Sequence, residues 1–417
     1  MPKEAPISEW QKKLVDAEMA LARAEKRYGP NHQKLCQPLI NLAAACLYSG
    51  KQRDAIQLFR RCLSIYEKLP NPNPKQLYEI ICSQAVACTM SGEFFEAISC
   101  FQRALTTLDG LPGKRQPERI SILNSLGVAY KKTYQMQKAE AVLTEALALC
   151  DKSSRRPSPD RQSLYHAMAG LFLDLEQFEK AEFFCRKAIE IEKKIHGTES
   201  PKLAISLNRL GKLAMDQGRL GEADGLLNES LKMRERLVGS LHPDFAMSLL
   251  HLGELYTLQG NFEKAEEVFY HALTIADGSL APDHPLQWMV RHQFAKLFIA
   301  RGLFETAEGH LDRAMEILRN SMGPAHPQVA QVLMTLAGLH LVNKSAEVAM
   351  GFYQKALAIY LDTFGPRHPR TAAALRGLAD ACEALGRGDE AAKHRARAAA
   401  IEAPHPSDGC AQPHPKS

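Results

Sequence analysis

The 417-residue sequence lacks any apolar run near the roughly 18 residues that a membrane helix needs, so no insertion into a membrane is expected. It also lacks a glycine-rich phosphate loop, a G-x-S-x-G elbow and an H-E-x-x-H pair. Those absences remove the usual signatures of nucleotide, acyl-transfer and metalloprotease chemistry. The chain therefore reads as a non-enzyme with no catalytic, cofactor-binding or metal-binding residue. Net charge is only +5, and no Lys/Arg stripe with interleaved aromatics lies on one face, which points away from nucleic acid. The ten cysteines form no CxxC pair and no zinc spacing. Several fall in repeat slots (Cys46, Cys88 and Cys382 with Tyr130 and Tyr256), so they read as reduced core thiols of a cytosolic protein rather than disulfides or metal ligands. The opening MPKEAPISEWQKK has no apolar h-region, and no secretory signal is expected.

What the sequence does have is a period of 42. Steps of 42 from Pro243 reach Pro117, Pro159, Pro201, Pro285, Pro327 and Pro369. The same step from Ala265 lands on alanine every time, at Ala55, Ala97, Ala139, Ala181, Ala223, Ala307, Ala349 and Ala391. The column of Gly253 holds only alanine and glycine. Within one unit, GSLHPDFAMSLLHLGELYTLQGNFEKAEEVFYHALTIADGSL, two amphipathic stripes flank Gly260. Leu249, Leu252 and Tyr256 mark the first helix, and Ala265, Phe269 and Ala272 the second. Proline suits a first helical position and glycine a left-handed turn. One such hairpin cannot bury both of its faces, so hairpins must stack.

The expected architecture is all-α: a right-handed superhelical solenoid of nine helix-turn-helix repeats behind an N-terminal capping helix at 1–28. The repeats are placed at 29–70, 71–112, 113–154, 155–196, 197–238, 239–280, 281–322, 323–364 and 365–403, with a disordered tail at 404–417. A second-helix slot filled by Phe59, Phe101, Leu143, Cys185, Leu227, Phe269, Leu311 and Tyr353 becomes Arg395 in the ninth unit, which suits a terminal polar cap.

These columns resemble the tetratricopeptide repeat, whose usual unit is about 34 residues. Corners such as GSLHP, GPAHP and GPRHP, and runs such as GNFEKAEEVFYHAL, resemble the 42-residue kinesin-light-chain type. The resemblance covers about 29–403. It implies a protein-interaction scaffold or adaptor that captures peptide or helical segments in its concave groove, with kinesin-light-chain-like cargo or cytoskeletal adaptors of the cytoplasm as the narrower expectation. The alternative is a structural subunit or assembly factor built permanently into a larger complex. Oligomeric state and partner identity are not legible.

The tetratricopeptide pattern places groove residues on the first helices. Carried onto this sequence, the candidates are Asn41, Asn124, Ser125, Lys131, His166, Asn208, Arg209, Lys212, His251, Glu254, His292, Gln293 and Lys296. Asparagine occupies the paired groove slots only at Asn41, Asn124 and Asn208. The central polar set, from Asn124 to Lys296, suits a peptide carrying some acidic residues. His242, His284, His326 and His368 each precede a phased proline. One per repeat and at least one helix diameter apart, ~10 Å, they read as neutral helix caps, because ligands of one zinc must each lie ~2 Å from it. Ser158, behind Arg155 and Arg156, is a candidate phosphorylation site.

Overall fold

In the computed structural model, residues 9–402 are described apart from positions 50, 114, 154, 155, 281 and 283. The expected tail at 404–417 and the first positions of the repeats placed at 155–196 and 281–322 lie outside the described residues. Nineteen α-helices and no strand are present among the described residues. Helix α1 (Glu9–Tyr28) precedes nine hairpins. They are α2 (Cys36–Tyr48) with α3 (Gln52–Tyr66), α4 (Pro74–Ser91) with α5 (Phe94–Asp109), and α6 (Gln116–Lys132) with α7 (Met136–Ser153). Next come α8 (Pro159–Asp174) with α9 (Phe178–His196), α10 (Pro201–Asp216) with α11 (Leu220–Val238), and α12 (Pro243–Leu258) with α13 (Phe262–Ser279). The last are α14 (Pro285–Ala300) with α15 (Phe304–Met322), α16 (Pro327–Val342) with α17 (Ala346–Phe364), and α18 (Pro369–Ala384) with α19 (Gly388–Glu402).

The helix starts are set by local chemistry. Nδ1 of His242, His284, His326 and His368 accepts the backbone N–H two residues on, at 3.1, 3.2, 3.3 and 3.1 Å. Each therefore caps its helix as a neutral imidazole, with proline next in sequence. Ser200 does the same for α10, accepting from Leu203 N–H at 3.1 Å.

Packing divides the chain into two units, Met1–Leu171 and Phe172–Ser417. In the first, α1 buries Leu14 and Leu21, and its Glu25 accepts from Arg61 Nη1 at 2.6 Å. Ala55, Ala97 and Ala139 are fully buried beneath Phe59, Phe101 and Leu143. In the second unit the same column runs through Ala181, Ala223, Ala265, Ala307 and Ala349 to Ala391, none more than 2% exposed. A Cβ on Gly253 would sit 2.4 Å from Phe269 Cε1, so glycine there is a matter of space. Arg395 ends the series half-exposed, its guanidinium on Asp380 and Glu383.

A second packing slot joins the two helices of a hairpin by stacked rings. Phe172 stacks on Phe184 at 5.6 Å, Phe298 on His310 at 5.4 Å and His340 on Phe352 at 5.5 Å. Arg–Glu pairs tie successive second helices together along the other side. Examples are Arg186 with Glu222 at 2.9 Å and Arg219 with Glu182 at 2.6 Å.

Candidate functional site

In the second unit the first helices of successive hairpins approach one another directly: α10 with α12, α12 with α14, α14 with α16 and α16 with α18. First helices drawn together in this way lie on the inside of the bend. Their facing side chains form a ladder. Asn208 Nδ2 lies 2.8 Å from His251 Nδ1, linking α10 to α12. Lys212 Nζ donates to Glu254 Oε1 at 3.1 Å, and Lys296 Nζ approaches the same oxygen at 3.7 Å, so one carboxylate joins three helices. His292 Nε2 lies 2.8 Å from Thr335 Oγ1, linking α14 to α16. Because Thr335 donates its own hydroxyl hydrogen to Gln331 O at 3.3 Å, the proton in that contact belongs to His292.

Burial decides the protonation states. It pushes His251 down to about 4, with Lys212 and Arg234 adding to the effect. His292 is pushed down to about 3 by burial and by Lys296. Both rings are neutral at physiological pH. Burial alone would raise the Glu254 carboxyl, but Lys212 and Lys296 outweigh it and hold the group below the usual carboxylate range. Burial would likewise lower Lys212; Glu254 and Asp216 more than offset it. Lys212 also donates to Asp216 Oδ1 at 2.6 Å.

The two lysines are thus charge-compensated from within by Glu254 and Asp216, which removes most of the preference for an acidic peptide that a bare reading of the lysines suggests. Two acceptors remain unspent: Asn208 Oδ1 and Glu254 Oε2 are buried with no hydrogen-bond partner. Arg209 and Gln293 sit half-buried beside the ladder on α10 and α14.

The remaining candidates lie in the first unit. Asn41 is exposed on α2, and its Oδ1 accepts from Gln37 Nε2 at 2.9 Å within the same helix. Asn124 and Ser125 are half-buried on α6, and Asn124 Oδ1 is buried without a partner. Lys131 Nζ lies 3.5 Å from where a Cβ on Gly170 would stand. His166 is half-buried on α8. Ser158 Oγ caps α8, accepting from Arg161 N–H at 3.2 Å. Thr335 and Asp216 are ladder members absent from the candidate set. Thr335 lies 43 residues after His292, one more than the period and the same step that separates His251 from Asn208.

A solenoid of antiparallel helix pairs with small residues at every crossing, lined inside by side chains of the first helices, defines a helical-repeat interaction protein. Tetratricopeptide repeat models match residues 15–68, 79–152, 160–236, 244–320, 289–360 and 328–401, and a second one 208–279. The chain belongs to the tetratricopeptide repeat family.

Among solved structures it is similar to a Rap protein complexed with Competence and Sporulation Factor: 17% identity, TM-score 0.60, covering 86% of this chain and 97% of that one. It is also similar to a signal-transduction ATPase with a tetratricopeptide repeat sensor from Pyrococcus horikoshii: 18% identity, TM-score 0.50, covering 89% of this chain and 53% of that one. A putative kinesin light chain from Podosopora anserina with nearly identical repeats matches at 25% identity and TM-score 0.41, covering 49% and 97%. No curated protein matches the chain. No helix among the described residues is long and apolar enough to cross a membrane.

Proposed function

We propose that the first-helix face of the second unit captures a peptide or helical segment of another protein, making the chain a non-enzymatic interaction scaffold. The observation that supports this best is the ladder Asn208–His251, Lys212–Glu254–Lys296 and His292–Thr335. It fixes polar groups on one face before any ligand arrives, and such preorganisation lowers the entropic cost of binding. Because the charges are compensated internally, a ligand is recognised by hydrogen bonds and fit rather than by net charge. The same fold in the Rap protein accommodates Competence and Sporulation Factor. The narrower reading, a cytoplasmic adaptor for cargo or cytoskeletal complexes, rests on the likeness of the corners to the kinesin-light-chain type. No nucleic acid is part of the proposal.

A second reading, permanent incorporation into a larger complex, draws on the hairpin-turn side of the second unit. There Leu258 is 58% and Val342 61% exposed, with Leu303 and Val348 also open to solvent. An aliphatic edge of that kind suits a fixed packing partner.

The test is proximity labelling followed by a pull-down with Asn208→Ala/Arg209→Ala, helicity being checked first. Loss of most partners is expected; survival of every partner overturns the groove reading. Copurification in fixed stoichiometry that survives the double substitution selects the second reading. Ser158 remains a proposed phosphorylation site, tested by mass spectrometry of the protein isolated from cells; a uniformly unmodified Ser158 removes it.

A further inference from the structure

Arg234, near the end of α11, is only 5% exposed, yet it pairs with no carboxylate among the described residues. Its Nη1 donates to Ser248 Oγ at 2.9 Å and to the backbone oxygen of Asp244. Ser230 Oγ donates to Ala204 O at 2.7 Å and lies 3.4 Å from Ser248 Oγ. Ser230 spends its own hydrogen on Ala204, so Ser248 supplies the one between the two hydroxyls. Both serines are fully buried. This run of bonds fixes the guanidinium from one side.

Nε and Nη2 are left over. Among the described residues neither has a hydrogen-bond partner, and neither is sealed from solvent as Arg161 Nε is. Their N–H bonds run parallel along one edge of the guanidinium, a fork that matches the two oxygens of a carboxylate. Elsewhere in the chain that fork is filled. Arg186 Nε and Nη2 donate to Glu182 Oε1 at 2.9 and 2.7 Å. Arg119 Nε and Nη2 reach Glu145 Oε1 at 3.4 and 3.3 Å, and Arg60 holds both oxygens of Glu96 with the same two nitrogens. Those side chains are a third to a half exposed, so water would serve them if the acid were absent. Arg234 has no such recourse, and a buried charge without a counterion is costly.

Asp244 does not fill the fork: its carboxylate is turned to His242, with Oδ2 3.8 Å from Nδ1. Burial, with Arg209 adding to it, pulls the guanidinium below its usual value against the opposing charge of Asp244. Packing does not call for arginine here either. At 42-residue steps the slot holds Tyr66, Leu108, Cys150, Ala276, Leu318 and Tyr360, with Glu192 the other charged member. The arginine sits beside the ladder. Ala204 is one turn before Asn208 on α10, and Ser248 one turn before His251 on α12, a step of ~5.4 Å along the axis.

We propose that the Nε/Nη2 edge of Arg234 is a carboxylate-binding site, and that the segment captured on the first-helix face supplies the carboxylate. The second clause rests on the reading of that face as a capture surface; the first does not. One guanidinium edge offers a single positive charge and two parallel donors, which a carboxylate matches and a doubly charged phosphate exceeds. Lys212 and Lys296 are neutralised by Glu254 and Asp216, so the charged anchor of the face is Arg234. Held in place before a ligand arrives, it sets the register of the segment by the position of one acidic group.

The probes are capped amino acids titrated into the full chain while the Nε–Hε resonance of Arg234, assigned through its own backbone, is followed by heteronuclear NMR. N-acetyl-glutamate methylamide is expected to shift it saturably. N-acetyl-glutamine methylamide, the uncharged isostere, should leave it in place, as should either compound for the filled forks of Arg60 and Arg186. N-acetyl-alanine separates the sources: tighter binding than the glutamate compound assigns the carboxylate to a chain terminus, weaker binding to an acidic side chain. No saturable shift, an equal shift with the glutamine compound, or a shift that appears only in Asp244→Asn would each overturn the site. For the role in capture, a segment recovered by pull-down is measured with its acidic residues changed one at a time to the amide. One such change should weaken binding to the wild-type chain about tenfold or more and matter little to Arg234→Gln. Equal losses in both chains overturn that role. A saturable shift alongside survival of every partner in Asn208→Ala/Arg209→Ala keeps the carboxylate site and removes the groove reading.

Discussion

Arg370 Nε stands 3.8 Å from Glu176 Oε1, joining the first turn of α18 to the hairpin turn between α8 and α9. Around it, His368 stacks on Phe364 at 4.2 Å, while Arg370 lies over the same ring at 5.4 Å. Burial raises the Glu176 carboxyl, and Arg370 opposes that rise. Within the second unit, then, the ninth hairpin returns to the fourth. A solenoid described by nearest-neighbour contacts alone does not include such a link, so substitutions here act beyond the adjacent repeat.

The pair is partly exposed, and a contact of this kind contributes at most about 1 kcal/mol. It acts as a latch rather than a core element. Arg370→Glu should raise deuterium uptake in residues 174–178 and 366–371 while leaving α12 unchanged, and adding Glu176→Arg should restore protection. Equal uptake in the single variant and the wild type would show that the contact holds nothing.

Acid should destabilise the second unit through its buried histidines. In the unfolded chain each titrates near 6.5, whereas burial holds His251 at about 4, His292 at about 3 and His368 at about 4. Between those limits the unfolded chain binds more protons than the folded one, so stability rises with pH. It is complete above about pH 6.5 and is lost as pH falls toward 3. Each histidine contributes a slope approaching about 1.4 kcal/mol per pH unit. The charged groups facing His251 are Lys212, Arg234 and Glu254, and they keep their charges through most of that window. Urea denaturation at pH 7, 5.5 and 4.5 measures the effect. His292→Gln retains a donor toward Thr335 and should flatten the dependence; an identical pH profile in that variant would place the acid sensitivity elsewhere.

The spacing between paired helices is set at Gly253. A Cβ there would meet Phe269 at 2.4, 2.7 and 2.8 Å, closer than packed carbons tolerate. Gly253→Ala should cost about 1–3 kcal/mol, as should Ala265→Leu, both by overpacking. Removing the ring with Phe269→Ala makes room for the added methyl. The double variant Gly253→Ala/Phe269→Ala should therefore lose less than the sum of the two single losses. Simple additivity in denaturation midpoints would mean that the two positions do not share the space the geometry assigns them.

Much of this was legible in the sequence because it repeats. A residue type forced at one crossing is forced at every crossing, so the Ala265 column, the Pro243 column and the histidine caps announced themselves by recurrence. What recurrence hides is anything that occurs once. Lys212, Glu254 and Lys296 share one column, but their mutual neutralisation depends on which neighbour each side chain leans toward. Asn208 with His251 and His292 with Thr335 cross between columns. The slot of Phe172 and Phe184 holds a ring stack in three hairpins and other residue types elsewhere, and Glu176 with Arg370 depends on how far the second unit curls, which no local pattern encodes.

The hairpin turn offers a substitution that should stabilise the chain. At 42-residue steps, Gly92, Tyr134, Glu176, Gly218, Gly260, Gly302, Lys344 and Gly386 all have φ between 56° and 82°. Five are glycine. The other three are the non-glycine residues with positive φ among the described residues, a conformation that costs an L-residue roughly 1–2 kcal/mol. Lys344 is exposed, and its backbone N–H donates to Leu341 O at 3.2 Å, a bond that glycine keeps. Lys344→Gly removes the strain but enlarges the freedom of the unfolded chain, which takes back roughly 0.5–1 kcal/mol. The expected net gain is about 0.5–1 kcal/mol, read as a higher urea midpoint at constant m. Lys344→Ala carries the same Cβ and should gain nothing. If the alanine variant matched the glycine one, the benefit would come from removing the lysine charge, and backbone strain would not be its cause.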